Sequence, residues 1–67
     1  MKAVYIHEDD HTGKHYIVIP QIREIHKALG NVVITFANGD KRTLDVFDPN
    51  AAIDEMLQAI EEYYNRF

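Results

Sequence analysis

The stretch that most limits what this chain can become is Val32-Val33-Ile34-Thr35-Phe36, then Ala37-Asn38-Gly39-Asp40, then Arg42-Thr43-Leu44-Asp45-Val46. Two β-branched runs flanking Asn-Gly read as a β-hairpin, because these two residues enter the left-handed backbone region at little cost. The spacing also argues the register. A two-residue turn at Asn38-Gly39 would set Ile34 opposite Thr43 and Val32 opposite Asp45, placing charge against the apolar side. A three-residue turn with Gly39 as the left-handed bulge sets Val32 opposite Leu44 and Ile34 opposite Arg42. It gathers Val32, Ile34, Phe36, Leu44 and Val46 on one face, and it is the register expected.

Such a face needs a cover, and the downstream sequence supplies one. Asp48 before Pro49 is an N-cap acceptor followed by a proline at the first helical position, where its missing N–H costs nothing. Ile53, Met56, Leu57, Ile60, Tyr64 and Phe67 then recur at steps of three and four, which predicts an amphipathic helix over 49–66. Asp54, Glu55, Gln58, Glu61, Glu62 and Arg66 fall on its other side, with Glu62 and Arg66 at a favourable spacing.

Upstream, Ala3 to His7 and His15 to Ile19 flank a polar loop from Glu8 to Lys14, so they predict a second hairpin. With Val4 and Ile6 turned to the core beside Ile17 and Ile19, the residues Tyr5, Tyr16 and Val18 collect outside. Between the hairpins, Pro20 to Gly30 carries helix signals: proline first, Ile22, Ile25 and Leu29 at helical steps, glycine last.

The succession Tyr16-Ile17-Val18-Ile19, Ile22-Arg23-Glu24-Ile25, Val32 to Gly39, a further strand and a helix resembles the small flagellar FlbD/SwrD type of protein over residues of about 14 to 63. The resemblance implies an extended segment from Gln21 to Ala28. The family's Leu-Thr-Arg-Leu-Asn-Gly opening is absent, so architecture is carried over and function is not. The expected fold is α+β: an antiparallel β-meander of four to five strands, at about 2–7, 14–19, 21–28, 32–37 and 41–47, with one C-terminal helix, in a single domain spanning 1–67.

Sixty-seven residues build one core, and a core that small supplies little surplus stability. Without cysteine no disulfide can staple it, which leaves oligomerisation or a partner and fits a reducing compartment. The net charge of −4 repels phosphate, so no nucleic-acid partner is expected. Apolar runs are far shorter than the ~18 residues of a membrane span. No hydrophobic segment follows Met1-Lys2. Both point to a cytoplasmic protein with no membrane partner.

His7, Asp9, Asp10, His11 and His15 supply donor types suited to Zn²⁺ or Ni²⁺. Their spacing would converge on a helix, whereas Gly13 and the flanking strands argue for a hairpin tip that is simply solvated. No cofactor is expected. The chain has no serine and no cysteine, and Thr12, Thr35 and Thr43 stand in no recognisable triad order, so no catalytic residues are assigned and no enzyme is expected. The three glycines lie at separate turns and build no phosphate-binding loop.

The leftover aromatic surface points instead to protein interaction. Tyr5, Tyr16, Val18 and Tyr63 are the candidate partner-binding residues, because tyrosine tolerates water at one end and apolar surface at the other. The expected function is a non-enzymatic protein-interaction or self-association module. One alternative is an acidic regulatory or phage-type inhibitor that blocks a basic site through Asp54, Glu55, Glu61 and Glu62. Another is a metal-responsive His/Asp loop.

Overall fold

A computed structural model describes residues 3–65. Five strands, β1 (Val4–Asp9), β2 (Gly13–Val18), β3 (Ile22–Ala28), β4 (Asn31–Phe36) and β5 (Lys41–Leu44), precede one helix, α1 (Pro49–Tyr64). The α+β architecture is the one expected, and the segment from Gln21 to Ala28 is extended, apart from Gln21 itself. The strands divide into two antiparallel sheets, β1–β2 and β3–β4–β5. The break falls at a single 3-10 turn over Ile19–Gln21, where Pro20 has no N–H to give to a ladder. Backbone bonds from Ile19 N–H to the Ala3 carbonyl (2.7 Å) and from Ala37 N–H to the Gln21 carbonyl (2.8 Å) tie this turn to both hairpins.

The helix-like signal in β3 has a physical explanation. A β-bulge lies between Ile22 and Glu24, so Ile22 pairs with Phe36 and Ile25 with Ile34. One extra residue rephases the strand, and apolar residues three apart reach the same face. Leu29, the third residue of the apparent stripe, is wholly exposed in the turn to β4. It takes a φ of 53° beside Gly30 at 81°, the positive pair that a two-residue hairpin turn requires.

The β4–β5 register is the expected one: Val32 opposite Leu44, Ile34 opposite Arg42. Phe36 N–H donates to the Asp40 carbonyl, Gly39 N–H donates to the Phe36 carbonyl, and Gly39 has a φ of 93°. Strand β5 is shorter than expected, ending at Leu44 rather than near residue 47. In this register Val46 would face Gly30, which is already in the turn, so the ladder has no partner left to offer.

Ile17, Val32, Ile34, Leu44 and Met56 form the buried core, with Tyr5, Ile22, Ile25, Phe36, Val46, Ala52 and Ile53 packed around it. Asp48 caps α1, its carboxylate accepting from Asn50 N–H (3.1 Å) and Ala51 N–H (3.3 Å). The buried side of α1 is rotated from the expected stripe: Met56 is buried and Ala52, Ile53, Ala59, Ile60 and Tyr63 are half-buried, while Leu57 and Tyr64 are about half exposed. The expected positions of Arg66 and Phe67 lie outside the described residues.

Candidate functional site

Register decides which side chains the β1–β2 hairpin shows to solvent. Tyr5 pairs with Ile17, Ile6 with Tyr16 and Val4 with Val18. Directly opposed residues share a face, so Tyr5 turns inward with Ile17, while Val4, Ile6, Tyr16 and Val18 line the outer face. This corrects the sequence expectation for Val4 and Ile6, which turn outward, and for Tyr5, which turns inward. The cause is the closing pair Asp9 and Gly13 around Asp10-His11-Thr12, which fixes the parity of every pair behind it. Tyr5 packs against the core and its hydroxyl donates to Glu55 Oε2 (3.2 Å). Burial, then the nearby carboxylate charge, then that bond raise its pKa above the usual phenol value.

Tyr63 differs from its expected place as well. It sits on the more buried side of α1 with its ring edge-on to Tyr64, centroids 5.0 Å apart. The outer hairpin face therefore keeps Tyr16 and Val18 from the candidate set and adds Ile6, at 60%, 43% and 44% exposure. Sequence alternation would have found Ile6 had the loop length been known. Lys14 Nζ stands 5.6 Å from the Tyr16 ring centre at one end of this face. On its flank, Tyr16 and Val18 border a shallow groove of about 270 Å³ whose far wall includes Phe36, Asp40 and Arg42, the Arg42 guanidinium lying 5.8 Å from the Phe36 ring centre.

The His/Asp loop is organised by one carboxylate. Asp9 Oδ1 accepts from His11 N–H (2.9 Å) and Thr12 N–H (2.5 Å), and Oδ2 accepts from His7 Nε2 (2.9 Å) and the Thr12 hydroxyl (2.6 Å). Four bonds fill its acceptor capacity. The Thr12 hydroxyl and then its N–H, outweighing an opposing effect of desolvation and helped by weaker bonds from His7 and the His11 N–H, hold the Asp9 pKa far below the usual carboxylate range. Having given its single hydrogen to Asp9, the Thr12 hydroxyl accepts from His15 Nε2 at 2.7 Å. This is the reverse of a nucleophile's setting, in which the hydroxyl donates to the imidazole.

His7 and His15 face each other across the hairpin with ring centres 5.8 Å apart, while His11 turns away to bond Asp45 through Nδ1. That bond, the Asp45 charge and, more weakly, Asp9 raise the His11 pKa. Among the described residues no three histidine or acidic side chains converge as a metal site, because Asp9 is occupied and His11 points elsewhere. Asp10 is exposed at the tip.

Asp54, Glu55, Glu61 and Glu62 are all exposed on α1 as expected. A different acidic grouping, which the linear sequence hid, lines an open cleft of about 690 Å³ where Glu8 and Asp10, Asp45 and Asp48, and Glu55 come together from three segments, with the fully exposed Phe47 on its wall. Among the described residues, no helix is long and apolar enough to cross a membrane. With the geometry in view, comparison with known proteins gave no match among protein-family models, curated proteins or solved structures.

Proposed function

We propose that this chain is a small non-enzymatic protein-interaction module, working in the cytoplasm, that recognises its partner through the outer face of the β1–β2 hairpin. The observation that carries the reading is the side-by-side exposure of Ile6, Tyr16 and Val18 on one sheet face beside Val4. A lone apolar residue on a surface needs no explanation, but a contiguous set with a tyrosine at its centre has the composition of an interface core. The two-stranded sheet also leaves ladder edges that a partner strand can extend. The saturated Asp9 and the committed Thr12 hydroxyl support a non-catalytic role.

The test is a photo-crosslinking amino acid placed at Tyr16 and, as control, at Glu62 on the exposed side of α1, with the full chain expressed in cells. Discrete adducts from position 16 alone support the reading, and equal or absent adducts at both positions overturn it.

The acidic cleft favours a second reading, in which a basic segment of another protein is held and blocked there. A lysine-rich peptide should then shift the amide signals of Glu8 to His11 and Asp45 to Ala52, with an effect that fades as salt rises. Shifts spread evenly over the chain would count against it.

A further inference from the structure

We propose that the occupant of the outer hairpin face is a second copy of this chain, docked about a two-fold axis so that Glu8 and Lys14 of one protomer meet Arg42 and Asp40 of the other. The proposal rests on the recognition surface proposed above and names its partner. Charge is the first argument. The chain as a whole carries −4, and the cleft beside α1 gathers acidic side chains, so two copies repel each other there. The outer hairpin face is balanced, and Glu8, at the rim it shares with the cleft, is matched there by Lys14. Glu8 and Lys14 are a cross-strand pair at one margin, and Asp40 and Arg42 stand across the groove at another, two acids balanced by two bases.

That arrangement is also self-complementary. In a two-fold interface each contact occurs twice with the roles exchanged, so a surface fits its own copy only if each margin complements the other. Here Glu8 can meet Arg42 while Lys14 meets Asp40. Between the margins, the groove bounded by Tyr16, Val18 and Phe36 offers a socket, and Ile6 is the neighbouring projection that a copy would insert. Need is the third argument. Only six apolar side chains are fully buried among the described residues, with no disulfide to assist them, and small domains of this kind gain from association. Three exposed apolar side chains make a small contact, and small contacts belong to the transient class of interfaces, below about 1,200 Å² in total.

Sedimentation equilibrium of the full chain, from about 10 μM to 1 mM as befits such a weak interface, tests this with Arg42→Glu, Glu8→Lys and the two combined. Expected is a monomer–dimer equilibrium in the unaltered protein, weakened about tenfold by each single change and restored to within about threefold by the pair, because the charges are swapped rather than removed. A monomer throughout the range, a dimer indifferent to Arg42→Glu, or a double variant no better than the singles overturns the proposal. Should circular dichroism show either variant unfolded, intermolecular NOEs in a mixed isotope-labelled sample of the unaltered chain decide. Contacts between Ile6 or Tyr16 and Phe36 support the two-fold arrangement, and their absence overturns it. A monomer that still crosslinks a different protein from position 16 defeats the second copy alone. A monomer with no adducts defeats the interaction module as well.

Discussion

The β1–β2 and β4–β5 hairpins are both closed by three residues and a positive-φ glycine, Gly13 at 86° and Gly39 at 93°, yet different chemistry holds the two turns. At Gly39 the main chain does the closing, with Phe36 bonding Asp40 and Gly39, and the Asn38 side chain accepts a bond from the Asp40 N–H and donates one to its carboxylate. At Gly13 a side chain also does it, because the Asp9 carboxylate collects the loop's N–H groups and one hydroxyl. A turn closed by backbone-to-backbone bonds keeps those bonds whatever the ionisation of a neighbouring carboxylate, here Asp40. A turn held by a carboxylate inherits that group's pH dependence, and it comes with a face that stays apolar on the solvent side.

Substitutions in the two hairpins, and in the core they share, separate these two behaviours. The largest expected effect is a control on the shared core: Ile34→Ala, at a fully buried position of β4, should cost about 3 kcal/mol in chemical denaturation, since it leaves a cavity where both sheets and α1 meet. A loss under 1 kcal/mol would mean the two regions do not share one core.

Asp9→Asn should come next. It keeps the shape of the side chain but removes the charge, and two of the four donors that Asp9 now satisfies would face an amide nitrogen. Hydrogen exchange should speed at His11 and Thr12 while the β4–β5 ladder keeps its protection. Equal loss in both hairpins would erase the distinction.

Turn residues give smaller and opposite changes. Gly39→Ala should destabilise by about 1 kcal/mol for placing a Cβ at positive φ, with no steric contribution because the site is open. Leu29→Asn should stabilise by roughly 0.5–1 kcal/mol, since asparagine accepts the φ of 53° that leucine tolerates poorly and the leucine side chain packs on nothing. Melting curves that move the other way would show that one of these turns is not formed in solution.

The smallest effect is the pH response of the β1–β2 loop. Asp9 has a depressed pKa in the fold, so its contribution is complete above the ordinary value of about 3.9 and is lost as pH falls through the depressed one. The His11 pKa is raised, so the Asp45 contact contributes fully below about 6.5 and is lost as pH rises through the higher folded value. NMR titration should therefore show the loop signals of residues 9–12 moving at both ends of the range while those of residues 36–40 stay fixed at the alkaline end. Matching shifts in both turns there would refute the contrast.

How much could be read beforehand follows the same division. The Asn38-Gly39 turn and its register were legible because Asn-Gly marks the turn and, of the two pairings it allows, only one avoids placing Asp45 against the core. The Asp48-Pro49 cap was legible because its chemistry is local. The β1–β2 pairing was not, since a polar loop can close at several lengths and each one-residue change exchanges Tyr5 with Ile6. Segment Pro20 to Gly30 misled locally because a bulge lets a strand imitate helical spacing. Helix α1 was placed correctly but turned by part of a face, because Ala52 and Ala59 are too small to announce the buried side that Leu57 and Tyr64 only flank.

By itself, then, the sequence determined the elements whose signals lie within a few residues: an acceptor ahead of a proline, an Asn-Gly between β-branched runs, an apolar repeat. Parity in β1–β2, the rephased β3 and the meeting of Glu8, Asp10, Asp45, Asp48 and Glu55 at one cleft were decided only in three dimensions. Each depends on which distant residue sits opposite, and local propensity carries no information about that.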